Sequence, residues 1–93
     1  MVVGTVVVDL SLPGVNSLKE KRSRLRPILA RLQNRFNISI AEVGFNDNLR
    51  MARLGGAVVS NDKVFVDQVI SKIVGMIESM PEIIITDYRV EIL

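Results

Sequence analysis

Residues Val2–Lys21, VVGTVVVDLSLPGVNSLKEK, contain the change of periodicity that decides the fold. As far as Leu12 the pattern has period two. Val2, Val6, Val8 and Leu10 point one way and Thr5, Val7, Asp9 and Ser11 the other, which predicts a half-buried strand. Pro13-Gly14 reads as the central pair of a type II turn, because Pro presets the first φ and Gly supplies the positive one. Ser17-Leu18-Lys19-Glu20 then forms a capping box, in which the hydroxyl and the carboxylate satisfy free backbone N–H groups, so a helix starts at Leu18. Leu18, Leu25, Ile28, Leu29, Leu32 and Phe36 fall on one arc at about 100° per residue, the stripe that faces a core. Pro27 lies inside this helix and is expected to bend it, since it lacks the N–H of a helical hydrogen bond.

Working outward, Ile38 to Val43 returns to period two, Gly44 to Asn48 carries the polar and glycine signals of a connection, and a third strand runs from about Arg50 to Ser60. These two strands read as a hairpin around Asn46-Asp47-Asn48. Ser60-Asn61-Asp62 is a run of helix-capping types, and Phe65, Val66, Val69, Ile70, Ile73, Val74, Met76, Ile77 and Met80 form a broad apolar face behind it. Pro81 ends this second helix, and Ile83 to Leu93 alternates as a closing strand. The order βαββαβ predicts an α+β, ferredoxin-like domain over residues 1–93, with two helices on one face of a four-stranded antiparallel sheet. Right-handed crossovers set strands one and two parallel, strand three between them and strand four on the far edge. The uncovered face would display Thr5, Val7, Ser39 and Ala41, and a homodimer through that face or an edge strand is a further expectation.

The chain has 93 residues, 48% hydrophobic, with a mean hydropathy of +0.33, so it is expected to need nearly every apolar residue inside or against a partner. Cys, His and Trp are absent, which removes disulfides, thiol nucleophiles, imidazole bases and the usual zinc ligands. Ser60 beside Asn61 and Asp62 has no base to activate it, so capping explains it better than catalysis. Gly55-Gly56 fits close packing or a bulge better than phosphate binding, because no helix N-terminus follows directly. The third strand carries no aromatic residue, which argues against base stacking on the sheet. No enzyme, cofactor or metal site is expected. No apolar run approaches the roughly 20 residues of a membrane span, and the first residues resemble no signal peptide, so the expected compartment is the cytoplasm.

The formal charge of +2 conceals a division. As far as Arg53 there are nine basic and four acidic residues, and beyond it three basic and six acidic. Between Lys19 and Arg35, seven cations face only Glu20. Lys19, Arg22 and Arg26 flank the apolar stripe on one side, and Arg24, Arg31 and Arg35 on the other. Such a surface suits an anionic partner such as RNA, with Lys19, Lys21, Arg22 and Arg26 as phosphate contacts and Arg50 and Arg53 adding from the hairpin. A plainly solvated helix flank explains the same charges. Lys21 carries a second expectation, because it falls in the apolar arc while Glu42 shares the inward parity of Ile38 and Ile40, so the two should form a structural ion pair. Phe45 is the aromatic most open to solvent, as a loop anchor or a ligand contact. A dimeric regulatory module that binds a small ligand is the alternative function on this topology.

Met1-Val2-Val3-Gly4, Leu12-Pro13-Gly14, the hexad Ser17-Leu18-Lys19-Glu20-Lys21-Arg22, Arg35-Phe36-Asn37, Ala41-Glu42-Val43-Gly44 and Val58-Val59-Ser60-Asn61-Asp62 together resemble the YlxP-like family of small bacterial proteins, a family of unknown function. The resemblance extends to Val90-Glu91-Ile92-Leu93 and so covers essentially the whole chain. It implies a ferredoxin-like fold. Genes of that family often lie beside those for translation initiation and ribosome-binding factors, which implies a role in ribosome maturation or translation. It supplies no catalytic residues.

Overall fold

Alternating periodicities become alternating elements in the computed structural model, which describes residues 1–93. They are β1 (Val2–Ser11), α1 (Leu18–Arg35), β2 (Ser39–Gly44), β3 (Met51–Ser60), α2 (Lys63–Glu78) and β4 (Ile84–Ile92). The sheet order is β2-β3-β1-β4 and every neighbouring pair is antiparallel, the topology of the ferredoxin-like α+β fold. β1 and β3 pair along their full lengths, from Val2 opposite Ser60 to Ser11 opposite Met51. The turn between β1 and α1 places Gly14 at φ 81, the left-handed conformation that favours glycine.

One continuous core fills the space between sheet and helices. Val6, Val8 and Leu10 from β1 and Ala52, Leu54 and Val58 from β3 supply its floor, because alternate strand residues share a face. Leu25, Ile28 and Leu32 of α1 and Val66, Ile70, Ile73, Val74 and Ile77 of α2 close it from above. The buried stripe of α2 is narrower than the sequence predicts. Phe65 stays half exposed, since Val66 beside it takes the inward position and Phe65 points about 100° away. α2 ends two residues before Met80, where the Ser79 N–H tightens onto the carbonyls of Gly75 and Met76. Met80 and Ile83 then plug the core from the connection. α1 runs unbroken through Pro27, which sits on its exposed side.

Three local features shape the sheet. In β4, Thr86 is an extra residue between Asp87 opposite Asp9 and Ile85 opposite Leu10, a bulge in that edge strand. Val43 is an extra residue between Glu42 opposite Leu54 and Gly44 opposite Arg53, a bulge next to Glu42, which lies on the helix side with Ile40 and the buried Leu54. Gly4 is buried where α2 crosses β1, and a Cβ there would lie 2.3 Å from Val66 Cγ1 and 2.7 Å from Ile70 Cδ1. The helix therefore rests against bare backbone. Gly4→Ala should push α2 away and lower stability by roughly 1–3 kcal/mol, read as a reduced midpoint in urea unfolding.

Candidate nucleic-acid interface

α1 begins at Ser17, whose hydroxyl oxygen accepts from the Glu20 N–H at 3.1 Å. Glu20 reaches one residue further back than a reciprocal box requires and accepts from the Asn16 N–H at 3.2 Å. Its other oxygen lies 3.8 Å from Arg24, which also donates to the Pro13 carbonyl at 2.9 Å. Arg24 and Glu20 are thus committed to holding the first turn against the preceding loop.

Lys21 is not a phosphate contact. Its side chain is 1% exposed, sealed beneath the first turn, because its position belongs to the stripe of Leu25, Ile28 and Leu32. The ammonium lies 2.8 Å from Glu42 Oε2 and donates to the Phe45 carbonyl at 2.7 Å. Glu42 Oε2 is itself buried and out of hydrogen-bonding alignment, so charge attraction carries that contact while the carbonyl takes the aligned N–H. The same carbonyl accepts from the Asn48 N–H at 2.9 Å. Phe45 pays for this with a φ of 58, a left-handed conformation uncommon for an aromatic residue.

Arg50 straps the hairpin to the β1–α1 loop. Its Nε donates to the Val15 carbonyl at 3.1 Å and a terminal nitrogen to Asn16 Oδ1 at 3.4 Å, while its own carbonyl accepts from the Leu12 N–H at 2.8 Å. Two of its five side-chain N–H donors are thus engaged, so Arg50 has a structural role beside the phosphate contact expected of it. Arg53 likewise belongs to the uncovered sheet face. It binds Asp9 through two parallel bonds of 2.7 and 3.0 Å and stacks over the Phe45 ring at 4.7 Å. That hydrogen-bonded guanidinium holds the Asp9 carboxyl below its ordinary value of 3.8, against the opposing pull of desolvation, with the charges of Arg53 and Arg89 adding to the lowering. Sequence inspection missed this pair because it depends on the β1–β3 register. The available signal was that Asp9 has the outward parity of its strand.

Lys19, Arg22, Arg26, Arg31 and Arg35 remain. All five are exposed, and none belongs to any of the three ion pairs of the molecule. At the far end of the helix, Arg31 and Arg35 meet Lys72 of α2 around a cavity of about 520 Å³ lined also by Phe36, Met76 and Ser79. Three cations around an open cleft with an apolar floor favour an anionic group. The uncovered sheet face offers instead small residues, Thr5, Val7, Ser39, Ala41, Gly55 and Ala57, around a shallow apolar depression. No group of three or more acidic residues is placed to hold a metal ion, and no helix is long and apolar enough to cross a membrane.

Residues 3–90 match the family described as "Protein of unknown function (DUF503)". The chain is 43% identical over 75 residues to the "Uncharacterized protein YlxP" of Bacillus subtilis (strain 168), an alignment covering 81% of this chain and 82% of that protein. Among solved structures it resembles the de novo designed protein Foldit4, with a TM-score of 0.52 and 13% identity over 100% of this chain and 94% of the other, a likeness of fold alone.

Two stability measurements test the charged contacts. Glu42→Ala, which strands the ammonium, should cost roughly 2–4 kcal/mol in urea unfolding. Lys21→Met, which keeps the buried stem and removes the charge, should cost less, about 1–2 kcal/mol. For Asp9 the lowered folded pKa means that its ionisation stabilises the fold above the ordinary value of 3.8, and the contribution fades as pH falls through the depressed value. The gap in Tm between the natural protein and Asp9→Asn should therefore be steady near neutrality and close on acidification.

Proposed function

The chain belongs to the DUF503 family of proteins of unknown function, and on that footing we propose that it is a non-enzymatic accessory protein that binds ribosomal RNA or a ribonucleoprotein, in ribosome maturation or translation, through the outer surface of α1. The observation that carries this reading is the set of five exposed cations on one helix, Lys19, Arg22, Arg26, Arg31 and Arg35, with no carboxylate pairing any of them. Lys21 with Glu42 and Arg53 with Asp9 are, by contrast, paired within the fold. A phosphate backbone supplies the missing anions.

Lys19, Arg22 and Arg26 stand at spacings of three and four residues, so they follow one flank of the helix and can track successive phosphates. The cleft of Arg31, Arg35 and Lys72 extends the basic surface onto α2. Arginine suits this task because its planar fork meets phosphate with two bonds. The sheet face lacks the aromatic platform on which an RNA-recognition motif stacks bases, so affinity would come from charge and shape more than from base reading.

Binding to ribosomal RNA fragments should weaken steeply as salt rises. Arg22→Glu combined with Arg26→Glu should flatten the plot of log affinity against log salt by about 1.5–2 in slope, as expected for two lost phosphate contacts. Fluorescence anisotropy on a labelled fragment reads both. A slope unchanged by the double variant would reduce the basic flank to a solvated helix surface.

A further inference from the structure

The two edges of the sheet differ. At β2 the pairing is interrupted by the Val43 bulge, and the Gln33 side chain of α1 donates to the Ile40 carbonyl at 3.3 Å, so that edge is partly capped. β4 has a neighbour on one side only and carries its own bulge at Thr86, but from Asp87 to Ile92 it pairs regularly with β1, contains neither Pro nor Lys, and leaves Tyr88 and Val90 48% and 41% exposed. Its hydrogen-bond phase is fixed by Leu93, which exchanges bonds of 2.7 and 3.3 Å with Val3. Residues in that phase turn their N–H and C=O groups toward β1. Tyr88 and Val90, in the opposite phase, turn theirs outward with no partner in the chain.

The charges on this edge are also incomplete. Asp87 stands directly opposite Asp9 across the β1–β4 pair, a like-charge arrangement that disfavours the sheet. Neither Asp87 nor Arg89, which stands opposite Val7, belongs to an ion pair within the chain, although the charge of Arg53 acts on Asp87 and that of Arg89 on Asp9.

We propose that a second copy of the chain completes this edge, pairing antiparallel along the regular part of β4, on the Ile92 side of the Thr86 bulge, about a two-fold axis at Tyr88. In that register Asp87 faces the partner's Arg89, and Arg89 faces the partner's Asp87. The strand is therefore complementary to itself in charge. Tyr88 exchanges two backbone hydrogen bonds with the partner's Tyr88. Asp87 and Arg89 occupy non-hydrogen-bonded positions, where opposed side chains lie closest. The two sheets become one of eight strands, with the basic α1 surfaces at its far ends. This pairing does not depend on the RNA reading.

Light scattering on the full chain should give twice 10.3 kDa. Asp87→Arg and Arg89→Asp, tested separately, each set two like-charge pairs across the axis and should weaken the dimer at least about tenfold. The double variant, Asp87→Arg with Arg89→Asp, restores opposite charges and should recover the dimer. Glu91→Gln should leave it intact, since in this register Glu91 meets no charged residue of the partner. Far-UV circular dichroism separates loss of pairing from loss of folding. A natural protein that stays monomeric up to its solubility limit, a dimer indifferent to both single changes, or a folded double variant that remains monomeric would overturn the proposal.

Discussion

An ammonium group enclosed by leucines and isoleucines must find an anion or give up its charge, and Lys21 meets that demand by drawing Glu42 and the Phe45 carbonyl to itself. Several features elsewhere follow from it. Glu42 faces α1 from the strand position opposite the buried Leu54, and the left-handed backbone of Phe45 holds its carbonyl near the ammonium. Arg50 ties the same hairpin to the loop before α1, and Asn48 holds the turn by accepting from the N–H groups of Arg50 and Met51. A buried pair of this kind adds little net stability compared with an apolar replacement. Its consequence is positional. The first turn of α1 and the tip of the hairpin are locked together, so the basic helix is presented at a fixed angle to the sheet.

The charges left over are sorted by surface. On the uncovered sheet face cations and anions occur together, and Arg53 pairs with Asp9 there beside the Phe45 ring. On the outer side of α1 there are cations alone, with Glu20 already committed to Asn16 and Arg24. A net charge of +2 therefore says little about what a partner meets. The edges divide similarly: β2 is shielded by its bulge and by α1, whereas β4 presents unpaired backbone and alternating charge. In a chain this short, such surfaces are where burial missing from the core can be recovered.

Much of the fold was legible because periodicity and punctuation agree. Val6, Val8 and Leu10 alternate into the core, Pro13-Gly14 makes the turn, Ser17 caps α1 and Asp62 caps α2. The approach of Lys21 to Glu42 was likewise readable from two inward parities on elements that the topology sets side by side. Reading failed where a side chain's fate depends on depth or on register. Phe65 looks like core by composition, yet one residue of helical rotation leaves it half exposed. Lys21 looks like one of seven cations, yet its angular position removes it from the surface. Arg53 and Arg50 look like additional phosphate contacts, and only their cross-chain partners, Asp9 in one case and Val15 with Asn16 in the other, show them to be engaged within the fold.

The sequence by itself determined the element order, the buried faces of the strands, the helix starts and the concentration of positive charge on α1, because each depends on neighbours a few residues apart along the chain. Tertiary structure alone decided which of those positive charges remain free. Whether a cation is spent on a carboxylate or left for a ligand depends on contacts between residues tens of positions apart, set by strand register, a bulge and one left-handed residue in the hairpin.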